Sequence, residues 1–183
     1  MKKKIFLNLG CGKDIKKSTV DIEWINVDRI HFSGVDKVFD LNKYPYPFND
    51  NSVDFVHCHG VLEYLDDVVA ALAEIYRILK KNGFAEILVP YCGHAMAFID
   101  PSNKHYFSYN SFISFGRVKN KFPRQYHEIN FVFSEMKPRL IFGKKYAVWN
   151  YLLEPLFNRM PSVYEGTPLR MFPAQYLVVS MKK

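Results

Sequence analysis

The chain has 183 residues, 49% of them apolar, and a formal charge of +7, which excludes a disordered polymer and suits one well-cored domain. Its three cysteines, Cys11, Cys58 and Cys92, are scattered without C-x-x-C spacing, which excludes a disulfide framework and points to a reducing compartment. The basic opening MKKK leads into only IFLNL before glycines and charges, too short an apolar run for a signal peptide or a membrane span, so the expectation is a cytoplasmic protein without a transmembrane segment.

In chain order, KIFLNL (4–9) is an apolar run ending at glycine and predicts a buried strand. WINVD (24–28) and KVFDL (37–41) predict two more strands, each carrying an aspartate at or near its end, and SVDFVHC (52–58) a fourth. The connections between these four leave room for only a thin first helix. LDDVVAALAEIYRILKKNG (65–83) predicts the main helix: Val68, Leu72, Ile75, Tyr76 and Leu79 share one face. Asp66 and Asp67 suit its first turn, Lys80 and Lys81 its last, and Asn82-Gly83 its stop. FAEILVP (84–90) predicts the fifth strand; strand–helix–strand of this length implies a right-handed crossover and a parallel sheet. Residues 91–130, rich in aromatics, histidine and lysine without a period, predict a lid or substrate loop. FVFSEMKPRLIFG (131–143) predicts a strand and YAVWNYLLEPLFNRM (146–160) a helix interrupted by Pro155, packed onto the sheet rather than laid on a membrane because it lacks a dense basic face. QYLVVSMKK (175–183) predicts a terminal strand.

The stretch FLNLGCGKD (6–14) resembles a nucleotide-binding turn, but Ile15 stands where G-x-G-x-x-G needs its third glycine. Gly10 and Gly12 allow close backbone approach to a ligand at the carboxyl ends of the strands. Asp28, ending the second strand, suits a ribose diol. A dinucleotide also needs a helix N-terminus for its pyrophosphate, and KDIKKSTVD after Gly12 is a poor helix. S-adenosylmethionine has no such need. Asp40 can take the adenine amine with Leu41 beside the ring, and His57-Cys58-His59-Gly60 can hold the methionine end. The turn's flanks, Asn8, Leu9 and Cys11, and Arg29 next to Asp28, complete the expected cofactor set.

On these residues the chain resembles the class I S-adenosylmethionine-dependent methyltransferases of the small methyltransferase type 11 kind, through LNLGCG, WINVD, VDKVFDLNKYPYPFNDNSVDFVHCHGVLEYLDD and EIYRILKKNGFAEILVPY. The resemblance implies an α/β fold with a Rossmann-like methyltransferase sheet, mostly parallel with an antiparallel C-terminal strand. It also implies one domain over 1–183, with a cofactor half (1–91) and a substrate or lid half (92–183). It places the methionine end at Gly10 and Gly12, ribose at Asp28, adenine at Asp40 and Leu41, and HGVLEYL beside the cofactor. The chain departs from the family at Asn8, where an acid is common, and near Asp14, where a further glycine is. IDPSNKHYFSYNSF (99–112) and SVYEGTPLRMFPAQYLVV resemble a subgroup tied to surface polysaccharide or lipopolysaccharide assembly.

The resemblance implies methyl transfer from S-adenosylmethionine, leaving S-adenosylhomocysteine, to a hydroxyl of a glycan or sugar-linked acceptor. Residues 1–103 carry 12 Lys/Arg against 14 Asp/Glu, and residues 104–183 carry 13 against 4. This suggests either that the second part faces something anionic (a phosphate, a sugar nucleotide, nucleic acid or a membrane surface) or that it is a solvated basic face; an anionic acceptor fits the first. His105, His94 and His59 are the candidate bases, in that order. His57, Cys58, His59, Cys92 and His94 lack structural-zinc spacing, so no metal is expected. Nucleic-acid methylation is an alternative that the basic second half permits, although no N-P-P-Y-like loop follows the fourth strand. A non-catalytic cofactor-binding or scaffold protein is another. NAD-dependent oxidoreduction fails on the missing pyrophosphate helix.

Overall fold

The computed structural model describes residues 3–116, 131–143 and 148–183. Seven strands form one sheet in the order β3-β2-β1-β4-β5-β7-β6. They are β1 (Lys4–Leu9), β2 (Ile22–Asp28), β3 (Lys37–Val38), β4 (Val53–His59), β5 (Leu79–Pro90), β6 (Glu135–Ile141) and β7 (Tyr176–Lys182). The first five run parallel, and β7 pairs antiparallel with both β5 and β6. The helices are α1 (Val68–Ile78), α2 (Met96–Ile99), α3 (Asn150–Arg159) and α4 (Pro161–Gly166). Among the described residues no helix is long and apolar enough to cross a membrane.

Strand alternation sorts the side chains. Leu7, Leu9, Val56, Cys58, Ile87 and Val89 point to one face and share the core with Leu72 and Ile75 of α1. The other face carries Phe6, Trp24, Phe55 and His57, whose rings meet edge-on or tilted at 5.1–6.3 Å.

The thinning of the first helix goes to completion: residues 10–21 contain none. Two buried asparagines explain this. Asn8 donates to the Asp14 carbonyl (2.7 Å) and to Asn26 Oδ1 (3.1 Å). Asn26 accepts from Lys16 N–H (2.9 Å) and donates to the Lys16 carbonyl (3.0 Å). The segment is therefore strapped to the sheet by polar bonds where a helix would need an apolar face.

Two local expectations change. The main helix stops at Ile78, capped at its start by Asp67, whose side chain accepts from Ala70 N–H. Leu79 already belongs to β5, so Lys80 and Lys81 are not in a last helical turn; Lys80 instead pairs with Asp54 at 2.7 Å. Between Val53↔Leu79 and Phe55↔Phe84 the pairing slips, and Asn82-Gly83 marks that bulge rather than a helix stop. Asn82 takes a φ of 65°, and a Cβ on Gly83 would stand 2.9 Å from the Lys80 carbonyl oxygen.

The second change concerns α3. It buries Phe157 and half-buries Leu153, but Trp149, Tyr151, Leu152 and Leu156 remain exposed. The expected packing of this helix holds for one face alone. Asn158 exchanges hydrogen bonds with both backbone groups of Leu140, so α3 pairs part of the β6 edge as a strand would.

Candidate active site

A cavity of about 160 Å³ opens at the carboxyl ends of β1, β2 and β4, lined by Gly10, Asp28, Arg29, Asp40, Leu41 and Asn42 on one side and by Gly60, Val61, Tyr64 and Leu65 on the other. The glycine turn makes it possible. Gly10 has φ +66°, and a Cβ there would fall 2.3 Å from Val61 Cγ2, so any side chain would close the contact between the turn and the loop after β4. Gly12 has φ +50°, and its N–H donates to Asp28 Oδ2 at 2.8 Å. Ile30 N–H donates to Asp28 Oδ1 at 2.9 Å. A carboxylate oxygen can accept two bonds and each here is given one, so Asp28 is oriented by the backbone and keeps one acceptor site per oxygen. Asp40 Oδ1 accepts from Asn42 N–H at 3.0 Å.

This donor set fits S-adenosylmethionine: an oriented carboxylate for a diol, a second acid with apolar Leu41, Val61 and Leu65 for a purine, and side-chain-free backbone at Gly10 and Gly60 for the amino-acid end. No helix begins after the turn to meet a pyrophosphate.

The other expected cofactor residues sit elsewhere. Asn8 is buried in the strap network, Leu9 lies in the core, and Cys11 is buried with its thiol pushed up to about 11, first by desolvation and then by the Asp28 charge. Cys58 is fully in the core on the α1 side, and burial pushes its thiol up. His57 and His59 lie on the opposite face with their rings 3.6 Å apart. Burial drives the His57 imidazole down to about 4, and burial also lowers His59. His59 Nε2 lies 2.9 Å from Glu86 Oε1. With Glu86 these two form the one grouping of possible metal ligands found among the described residues, their donor atoms within 4.8 Å of one another.

The segment 99–105 docks on the far wall of the cavity. Lys104 and His105 N–H both donate to the Glu63 carbonyl, and the Tyr64 hydroxyl reaches Asp100 Oδ2 at 3.2 Å. His105 Nε2 lies 2.9 Å from the Leu65 carbonyl, which only accepts. Nε2 therefore carries the proton, and Nδ1 is the basic nitrogen. His94 is the reverse: its Nδ1 accepts from Met96 N–H, so in the neutral ring Nε2 is protonated and no free lone pair remains. Of the aromatics that follow His105, Phe107, Phe112 and Phe115 are buried, whereas Tyr106 is exposed and stacks on Phe98 at 4.8 Å.

Sequence reasoning did not single out Glu63. It is 2% exposed, its Oε2 has no partner among the described residues, and burial, helped by Asp100, pushes its carboxyl up to about 7. Its place in HGVLEYL was legible; its burial was not, because the short helical turn Leu62–Tyr64 that turns it inward has no periodicity to read.

Beyond β5 a second cavity of about 530 Å³ is lined by Tyr91, Cys92, Gly93, Ser108, Glu165, Arg170 and Met171.

A family model described as a methyltransferase domain matches residues 11–87. Forty-one residues are 49% identical to an uncharacterised methyltransferase of Schizosaccharomyces pombe; the match spans 22% of this chain and 15% of that protein. The solved structure of a SAM-dependent methyltransferase from Archaeoglobus fulgidus superposes with a TM-score of 0.62 at 17% identity, covering 99% of this chain and 86% of that one. A Haemonchus contortus phosphoethanolamine N-methyltransferase solved with S-adenosylmethionine gives 0.56 at 14% identity, covering 99% and 49%. The strand order with its antiparallel seventh strand is the Rossmann-like arrangement of these enzymes, and residues 11–87, which the methyltransferase-domain model matches, supply nearly all of the first cavity's walls.

Proposed function

We propose that the protein transfers a methyl group from S-adenosylmethionine to a hydroxyl of a glycan or sugar-linked anionic acceptor. The observation that carries the reading is the convergence of Gly10, Asp28, Asp40 and Leu41 on one cavity whose far wall is closed by the His105 segment. The cofactor supplies an electrophilic methyl on a sulfonium. The chain's work is to hold the adenosine through Asp28 and Asp40 and to align the acceptor oxygen, and alignment alone accounts for about 7–11 kcal/mol of barrier in well-oriented systems. His105 Nδ1 takes the hydroxyl proton; His94 and His59 are weaker candidates, the first for want of a lone pair and the second for its place on the opposite face. The second cavity is the acceptor site, where Arg170 meets an anionic group and Tyr91, Ser108 and Glu165 meet hydroxyls.

Calorimetric titration with S-adenosylmethionine and NAD tests the cofactor. Asp28→Ala removes two charge-assisted bonds of about 1.5–3 kcal/mol each and is expected to weaken S-adenosylmethionine binding by roughly 100-fold or more. No binding by the parent protein would bring the scaffold reading forward. His105→Gln is expected to leave that affinity unchanged and to lower kcat by about 10²–10⁴ in assays that follow S-adenosylhomocysteine release from glycan acceptors. Turnover on RNA but on no glycan would favour the nucleic-acid alternative, which the basic second half supports.

A further inference from the structure

Helix α3 is apolar on two sides. Leu153 and Phe157 face the core, while Trp149, Leu152 and Leu156, spaced at three and four residues, form an outward stripe. Leu152 is 78% exposed and Trp149 59%. The chain after α4 adds Met171, 79% exposed, and Phe172 to the apolar surface of this region. Single exposed apolar residues are ordinary, but a set this dense marks an interaction surface.

The charges select the occupant. The two acids of α3 and α4 both bond inward: Glu154 Oε2 accepts from Phe142 N–H, and Glu165 accepts from Tyr91, Tyr109 and Asn110. The arginines of the same region, Arg159 and Arg170, are exposed. The outward surface thus sets an apolar stripe beside exposed arginines, with Trp149, a residue type enriched at membrane interfaces, at its start.

We propose that the α3–α4 face docks on an anionic lipid surface, laying Trp149, Leu152 and Leu156 into the interface with Arg159 at the headgroups. It needs no spanning helix. The docking inference stands apart from the acceptor assignment. Where that assignment holds, docking brings the second cavity, which shares Arg170 and Met171 with this region, toward the bilayer and makes a lipid-borne glycan the natural acceptor.

The test is flotation of the full chain with vesicles of phosphatidylglycerol and phosphatidylcholine against vesicles of phosphatidylcholine alone, without cofactor or acceptor, so its outcome is separate from that of any activity assay. The expected result is binding to the anionic vesicles, weakened at least about 10-fold by Leu152→Glu with Leu156→Glu and reduced by Arg159→Glu. In a Trp24→Phe background the emission of Trp149 is expected to shift to the blue on binding. The substituted positions are exposed, and circular dichroism checks that the variants fold. The proposal is overturned by absence of binding to anionic vesicles, by binding that the Leu152→Glu, Leu156→Glu variant retains, or by a concentration-dependent dimer that this variant abolishes in place of lipid binding.

Discussion

Glu63 shows how one side chain can set a pH dependence. In the folded chain its carboxyl is raised from 4.5 to about 7, so between those values the folded state keeps a proton that the unfolded state has lost. Its contribution is therefore complete below 4.5 and is lost as pH rises through 7. Glu63→Gln mimics the protonated form and is expected to raise Tm over wild type by a margin that grows from about pH 5 to about pH 8. His57 acts with the opposite sign: its folded value falls from 6.5 to about 4, so its contribution is present above 6.5 and lost on descending to 4. That term is common to both proteins and cancels in the comparison. A margin constant across this range in thermal melts would show that Glu63 is ionised in the fold.

At the scale of elements, the strap between β1 and β2 replaces a helix by hydrogen bonds. Asn26→Ala removes acceptor and donor for Lys16 and the acceptor for Asn8, leaving buried polar groups unpaired at about 1–3 kcal/mol for each group stranded. The expected outcome is a lower Tm with hydrogen exchange accelerated in residues 10–21 ahead of the sheet. The same segment measures what the sequence makes legible. The strands were readable because short apolar runs end at Gly10 and Asp28, and the charged run after Gly12 marked a poor helix, although the thin helix expected there is absent altogether. What replaces the helix was hidden, since a buried Asn–Asn pair eighteen residues apart leaves no local signal. Asn82-Gly83 was a true signal of positive φ, but helix stop and bulge call for the same backbone, and only the slipped pairing between Val53 and Phe55 and the backbone bonds to Lys183 decide between them. Asp28, Asp40 and Leu41 reach the cavity because strand ends are fixed by topology, whereas His57 and Cys58 miss its lining because alternation sends them to opposite faces in mid-sheet.

Across the whole molecule, Glu165 joins the two halves of the chain: its carboxylate accepts from the Tyr91 hydroxyl (3.2 Å), Tyr109 N–H (2.7 Å) and the Asn110 amide (2.9 Å). This one carboxylate ties α4 to the end of β5 and to the segment that follows it. Glu165→Ala is expected to lower Tm and to raise the acceptor KM while leaving the affinity for S-adenosylmethionine unchanged, since none of the first cavity's residues is touched. A parallel loss of cofactor affinity would show that the two cavities are mechanically one.

The antiparallel strand has a consequence for how the fold is reached. β7 is the last strand in chain order, yet it lies between β5 and β6, and among the described residues β6 has no other strand beside it. The five parallel strands have one another once Pro90 has been made, with the outer edge of β5 still open; among the described strands β6 has no partner until Tyr176–Lys182 arrives. Assembly is thus divided in time, with an early parallel nucleus and a late insertion that seats both edge strand and α3 together. Contacts of such long sequence separation are slow to form, and during that wait the apolar helix faces stand uncovered on a half-built chain.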